Sequence, residues 1–348
     1  MGSNAYIIAE IGVNHFDIAV DRNISPMEAA KLMIREAFKA GAHAAKFQSY
    51  KAETLVIKKS PAYWDTSEEK ATSQYDLFKK YDHFSKDNFR ELANYCKEIG
   101  IDFLSTPFDF HAVDYLDKLM TKYKIASADI TNIPLLEKVC SKKKPMLLST
   151  GASTLNEIRY TVDKIKQFNR DIEVTLLHCI LSYPTNYEDA NLNRILHLKK
   201  AFPECSIGYS DHTPPDKNML VTTVAYSFGA TIIEKHFTLN KNIPGNDHYH
   251  AMDSDDLRCL CKNISFLSKI LSKNEKNFLK CEEIPRRFAR RSIVAKRDLS
   301  SGTIISFDDL DFKRPGTGIS PVESENIIGK RVKKDILEDS QLDFDSIE

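Results

Sequence analysis

Eight short apolar runs, each followed by a loop and then a helix-like stretch, recur through the first ~270 residues and leave few folds open. The runs are YIIAEI (6–11), AAKFQ (44–48), DFLSTP (102–107), YKIAS (123–127), PMLLST (145–150), VTLLHC (174–179), SIGYSD (206–211) and TIIEKHF (231–237). Short apolar strands that alternate with helices form βα units, and βα units build parallel sheets. The helical signals lie between the runs. Ser25-Pro26-Met27-Glu28 is a capping box with proline at the first helical position, and Ala29, Ala30, Met33, Ile34 and Ala37 follow at helical spacing. Thr154 and Glu157 form a second capping box, opening a helix through Ile165, while Gly41 and Gly100 stand where helices should stop. Eight such units predict an α/β chain with a closed (β/α)8 TIM barrel. An open sheet of the dinucleotide-binding kind would carry GxGxxG after its first strand, and the first turn here reads Ile-Gly-Val-Asn-His.

The rhythm is interrupted in three places. DIAVDRNIS (17–25) lengthens the loop after the first strand. Residues 50–85, with Trp64, Tyr63, Tyr75 and Tyr81, are long enough to be a lid or to carry a short helix of their own. After residue 272 the character changes to a polar linker and then to β-rich fragments with Ser-Gly and Pro-Gly turns. The expected division is a barrel over 1–272, a linker over 273–285 and a small β-rich domain over 286–348.

Charge is balanced, 49 basic against 49 acidic residues, which removes the basic footprint of a nucleic-acid binder. No apolar run approaches the ~20 residues of a membrane span, and the N-terminus lacks the layout of a signal peptide. Seven scattered cysteines without a CxxC pair suit reduced thiols, so a cytoplasmic location is expected.

Chemistry in a (β/α)8 barrel sits where the strands end. Those ends carry Glu10, Lys46 and Gln48, Ser105 and Thr106, Lys124 with Ser127 and Asp129, Ser149, His178 with Tyr183 beyond it, Ser210 and His212, and Glu234 and His236. Residues two apart share one face of a strand, so Lys46 and Gln48, Ser210 and His212, and Glu234 and His236 each point together. His212 and His236 end neighbouring strands, where two imidazoles can meet one divalent ion such as Mn²⁺, Co²⁺ or Mg²⁺ and leave positions open for Lewis-acid work. Lys46, Lys124, Ser127, Ser149 and Ser210 suit a small anion, and the Ser149-Thr150-Gly151 turn leads to a capped helix whose amides favour phosphate. With carboxylates at Glu10, Asp129 and Asp247, the rim fits a phosphorylated carboxylate joined to a polyol or sugar.

The motifs AEIGVNH (9–15), KFQ (46–48), STPF (105–108), LSTG (148–151), LHC and YPT (177–179, 183–185), GYSDHT (208–213), EKHFT (234–238), PGND (244–247), FARRS (288–292) and KRPGTG (313–318) resemble the sialic acid synthase family, in this order and along most of the chain. The C-terminal piece resembles the antifreeze-like (SAF) domain of these enzymes. The resemblance implies a metal-dependent condensation of phosphoenolpyruvate with the open-chain aldehyde of an N-acetylated sugar, N-acetylmannosamine in the first instance, to give N-acetylneuraminate and phosphate. It implies His212 and His236 as ligands of Mn²⁺, with Co²⁺ or Mg²⁺ as substitutes. Lys46, Ser127, Ser149 and Ser210 match phosphate contacts, and Lys124 and Tyr183 match groups near the phosphoenolpyruvate carboxylate. Glu10, Gln48 and Asp247 match contacts to sugar hydroxyls and metal-bound water, and Asp129 the base for water. Phe288 and Arg314 match residues that reach the partner chain's barrel in a domain-swapped homodimer. Leu181 stands where some members carry asparagine, so a contact there is lost or passes to Ser182.

Three other readings compete with this one. A legionaminic or pseudaminic acid synthase, acting on a diacetamido-trideoxy sugar, would keep fold and chemistry. A Schiff-base aldolase using Lys46 or Lys124 would leave the histidines idle. A sugar- or ice-binding protein would leave the barrel rim unexplained.

Overall fold

The computed structural model describes residues 5–64, 66, 69–245, 247–271 and 277–348. Two compact units divide the chain, Met1–Ser272 and Lys273–Glu348. Asn246 of the PGND motif and residues 273–276 of the expected linker lie outside the described residues.

The first unit is the expected TIM barrel. Its strands are β1 (Tyr6–Gly12), β2 (Ala44–Ser49), β3 (Asp102–Pro107), β4 (Tyr123–Ile125), β5 (Met146–Ser149), β6 (Val174–Cys179), β7 (Ser206–Asp211) and β8 (Ile232–His236). They pair in the order β3-β2-β1-β8-β7-β6-β5-β4, the ladders between neighbours are parallel, and β3 packs beside β4 to close the ring. The limits read from sequence for β3, β6 and β7 agree to the residue.

The helices between strands begin and end where local chemistry says. Ser25 and Glu28 exchange hydrogen bonds as a capping box at Pro26–Ala40, which Gly41 ends at φ +104°. Thr154 caps Leu155–Phe168, a helix that runs three residues past the expected stop at Ile165. Each buries one apolar face on the sheet, Ala29, Ala30, Met33, Ile34 and Ala37 in the first and Ile158, Val162 and Ile165 in the second.

Residues 17–25 are a correction. They are not an extended loop: Asn14–Arg22 is a helix that ends at Asn23 with φ 51°. Its N-terminus has no side-chain cap, so the usual start signal is missing, and burial of Ile18 and Ala19 stabilises it instead. Residues 50–85 do carry helices of their own, Ala52–Leu55 and Gln74–Tyr81, around a small core of Trp64, Leu77 and Tyr81.

The second unit has its own core, including Ile293, Leu299, Ile305, Leu310, Val332 and Leu342. Its sheet pairs β9 (Ser292–Ala295) with β10 (Leu310–Lys313), antiparallel. A short helix, Glu283–Ala289, spans residue 285. Among the described residues no helix is long and apolar enough to cross a membrane.

Period-two alternation in β7 and β8 sorts their polar residues into two sets. Asp211 and Lys235, adjacent in register, are both buried and bonded at 2.7 Å. Tyr209 and Thr213 hydroxyls and the Thr213 amide also donate to Asp211. Burial alone would raise this carboxyl, but Lys235 and those donors outweigh it and hold it below its ordinary value. Asp211→Asn should therefore strand a buried ammonium and cost about 3–5 kcal/mol. The sign with pH follows from the lowered value: the gap between wild type and Asp211→Asn is full at neutral pH and closes below pH ~4, as the wild-type carboxylate takes up its proton. Urea midpoints from pH 7 to pH 3 measure it; a gap that does not change with pH would contradict the assignment.

Candidate active site

The other face of the same alternation builds a charged network inside the barrel mouth. Lys46 on β2 bonds Glu10 on β1 at 2.6 Å and lies 3.7 Å from Glu234 on β8. Glu234 also pairs with Lys124 on β4 at 3.3 Å and accepts from the Ser210 hydroxyl at 3.1 Å. Gln48 donates to Glu10, and Lys46 to the Thr106 hydroxyl. All four charged groups are at least nine-tenths buried. Burial raises the Glu10 carboxyl, and the Glu234 charge adds to that, while Lys46 opposes it. Burial would lower the Lys46 ammonium, but Glu10 and Glu234 outweigh it and hold it charged. A Schiff-base lysine must instead be neutral to attack a carbonyl, so Lys46 does not have the required character.

Beside this network the imidazoles gather. The ring centroids of His212 and His236 are 5.6 Å apart, as expected from neighbouring strand ends. His250, in the loop after β8, stands 4.9 Å from His236 and 6.2 Å from His212. His212 Nδ1 lies 2.7 Å from the Ile180 carbonyl, which makes that nitrogen the N–H and leaves Nε2 for a ligand. Asp247 lies 3.6 Å from His236 Nδ1 and 3.8 Å from His250 Nε2. Donor atoms of His236, Asp247 and His250 all fall within 4.8 Å of one another. Burial, reinforced by the neighbouring imidazoles, pushes His236 and His250 well down, so both rings are neutral. Burial pushes Asp247 up to about 7, with Glu10 adding and His212 opposing. The Tyr183 ring covers His212 at 4.2 Å and faces His236 and His250.

The loops after β4 and β5 meet next to this cluster. Gly151 N donates to the Ser127 hydroxyl at 2.9 Å, and a side chain at Gly151 would collide with that oxygen. Ser149 Oγ is buried without a hydrogen-bond partner, as a hydroxyl kept for a ligand would be. Ser182 donates to the Pro184 carbonyl within its own loop. Asp129, in the turn Ser127–Asp129 after β4, accepts from Asn132 at 3.1 Å, and burial raises its carboxyl. Phe288 and Arg314 belong to the second unit, where both are exposed.

Three residues enlarge the set read from sequence. Glu234 was seen at a strand end, but its place between two lysines depends on β2, β4 and β8 meeting. Cys179, whose sulfur is 3.8 Å from His212 Nδ1, takes the inward position on β6, while His178 bonds the Ala190 carbonyl. His250 lies beyond the last strand, and its signal was the Asp247-x-x-His250 spacing.

A family model described as the NeuB family matches residues 33–276, and a SAF domain model matches residues 290–348. The chain belongs to the NeuB family. It is 38% identical to the N,N'-diacetyllegionaminic acid synthase of Legionella pneumophila, over 99% of this chain and 94% of that protein. It is 33% identical to the mouse N-acetylneuraminate-9-phosphate synthase, over 99% of this chain and 92% of that one. Among solved structures, an N-acetylneuraminic acid synthetase from Leptospira borgpetersenii superposes with a TM-score of 0.69 at 32% identity, over 82% of this chain and 90% of that chain. As a member of the nonulosonate synthases, the chain is an enzyme that catalyses a condensation.

Lys46→Met tests the charge network. It leaves Glu10 and Glu234 facing each other with one lysine, and about 3–5 kcal/mol of stability should be lost at neutral pH. Since Glu10 already sits above its ordinary value, the loss should shrink on acidification as Glu10 takes up a proton. Urea midpoints with unchanged m-values would report both effects, and a neutral substitution would show that the pair contributes little.

Proposed function

We propose that this chain joins phosphoenolpyruvate to the open-chain aldehyde of an N-acetylated amino sugar, forming a nonulosonate and releasing phosphate. The observation that carries this reading is the convergence of two buried ammonium groups, Lys46 and Lys124, beside a cluster of three imidazoles in one barrel mouth. An anion with phosphate and carboxylate charges suits the first, and an aldehyde awaiting polarisation suits the second.

In this reading Lys46, Ser127, Ser149 and Ser210 hold the phosphate, and Lys124 and Tyr183 the carboxylate. The unpartnered Ser149 hydroxyl supports the phosphate assignment. The donor set fits a divalent ion. His212 has Nε2 left over, and His236 Nδ1 is buried without a hydrogen-bond partner. Mn²⁺ is the first choice for nitrogen donors with open positions, ahead of Co²⁺ and Mg²⁺. Such an ion supplies Lewis acidity to the sugar aldehyde. Glu10, Gln48 and Asp247 orient the sugar hydroxyls.

The C2=C3 electron pair of phosphoenolpyruvate forms the new bond from C3 to the aldehyde carbon, and the aldehyde oxygen takes up a proton to become a hydroxyl. Water adds at the electron-poor C2, giving one proton to Asp129; the C2–O bond to phosphate then breaks, the leaving phosphate taking the remaining hydroxyl proton as C2 becomes the ketone. Burial raises the Asp129 carboxyl, which supports its use as a base near neutral pH. Phe288 and Arg314 would act on the barrel of a partner chain in a domain-swapped homodimer, and the reaction would run in the cytoplasm.

N-acetylmannosamine, giving N-acetylneuraminate, is one acceptor. The higher identity to the Legionella legionaminic acid synthase than to the mouse enzyme favours the second, a 2,4-diacetamido-trideoxyhexose. Incubation with phosphoenolpyruvate, Mn²⁺ and either sugar, with and without EDTA, separates them by phosphate release and product mass. EDTA-sensitive product is expected from one of the two sugars. Product that survives EDTA would remove the metal role of His212 and His236, and no product from either sugar would refute the acceptor class.

A further inference from the structure

His250 has no place in the resemblance or in the roles derived so far. It is fully buried, and neither ring nitrogen has a hydrogen-bond partner. Buried polar groups are paired in native structures almost without exception, so an unpaired one implies something that completes it. What surrounds it is a set of electron-pair donors. His236 lies 4.9 Å away ring to ring, and an Asp247 oxygen lies 3.8 Å from Nε2.

We propose that His250 is a third imidazole ligand, holding a first-row divalent cation together with His236 and Asp247 beside His212. The separations fit one shared ion. Ligand atoms each about 2.1 Å from a cation are at most about 4.2 Å apart. The Asp247 oxygens lie 3.6 Å from His236 Nδ1 and 3.8 Å from His250 Nε2. This donor set is richer in nitrogen than a two-histidine site, and nitrogen donors shift preference away from Mg²⁺ toward Mn²⁺, Fe²⁺ and Co²⁺. The loop that presents His250 is braced for the purpose. Its neighbour His248 bonds the Thr238 hydroxyl at 2.8 Å and lies 3.4 Å from Asp17, and the Tyr249 hydroxyl donates to the Tyr183 carbonyl at 2.9 Å. The two residues before His250 are thus fixed, and its ring is left for the ion.

This inference rests on the metal-dependent reading above, and the test separates the two. The whole chain is stripped with EDTA, dialysed, and titrated with CoCl₂ by calorimetry while the visible d–d absorption is recorded. Wild type should bind one Co²⁺ per chain, and Mg²⁺ more weakly. His250→Ala and the larger His250→Gln should weaken Co²⁺ binding by well over about 100-fold, beyond the usual effect of an outer-shell change, and alter the d–d band. Both variants should keep the metal-free melting temperature of wild type and lose the rise that Co²⁺ produces. Unchanged affinity and spectrum in both variants, with binding lost in His236→Ala, would overturn the role of His250 and leave the metal reading intact. Wild type that binds no Co²⁺ would overturn both.

Discussion

The chain Glu10–Lys46–Glu234–Lys124 places four formal charges inside a barrel mouth where water is scarce, and no member can be removed without stranding another. Four strands must be in register for it to form. β1 pairs with both β2 and β8, which sets Glu10 opposite Lys46 on one side and His236 on the other. A slip of one residue would turn each of these side chains into the helical layer. The same register therefore fixes the charge network and the imidazole cluster, and assembling one positions the other. Such a network adds little net stability compared with an apolar core. In the proposed reaction its purpose is the incoming anion: Lys46 and Lys124 share Glu234, and a phosphate or carboxylate would compete for them.

Asp211 and Lys235 are the counterpart on the outer face. They sit one residue away from Ser210 and Glu234 in the same two strands, and pair across the same ladder. β7 and β8 thus carry buried charge on both faces. That is affordable only where each charge has its partner one strand away, which a closed parallel barrel guarantees for every strand.

Much of this was legible in the sequence. Strand limits followed from apolar runs, and helix starts from capping boxes, because both signals are local. Lys46 with Gln48, and Glu234 with His236, were legible as pairs because a strand repeats every two residues. The helix at Asn14–Arg22 was not, since it lacks a side-chain cap and depends on a core that only the folded chain supplies. Glu234 as the centre of the network was not, because its partners lie on strands 188 and 110 residues away in the chain. His250 escaped for a different reason: it sits on a loop, outside the strand-end rule that found the other two imidazoles.

The excursion after β2 takes its meaning from that loop. Tyr81, at the end of Gln74–Tyr81, donates to both Asp17 oxygens at 3.0 and 2.8 Å. Asp17 in turn faces His248, which is bonded to Thr238 just past β8. Gly245 makes this approach possible: with φ at +146°, it passes so close to His248 and Asp17 that an added Cβ would lie 2.7 Å from the ring and 2.9 Å from the carboxylate. A segment whose length allowed either a lid or a short helix of its own is thereby tied through Asp17 to the loop bearing Asp247 and His250. Movement of residues 50–85 would have to break the Tyr81–Asp17 bonds, and with them the brace behind the imidazoles. The excursion after β2 and the loop bearing Asp247 and His250 are thus coupled through one partly buried carboxylate, Asp17.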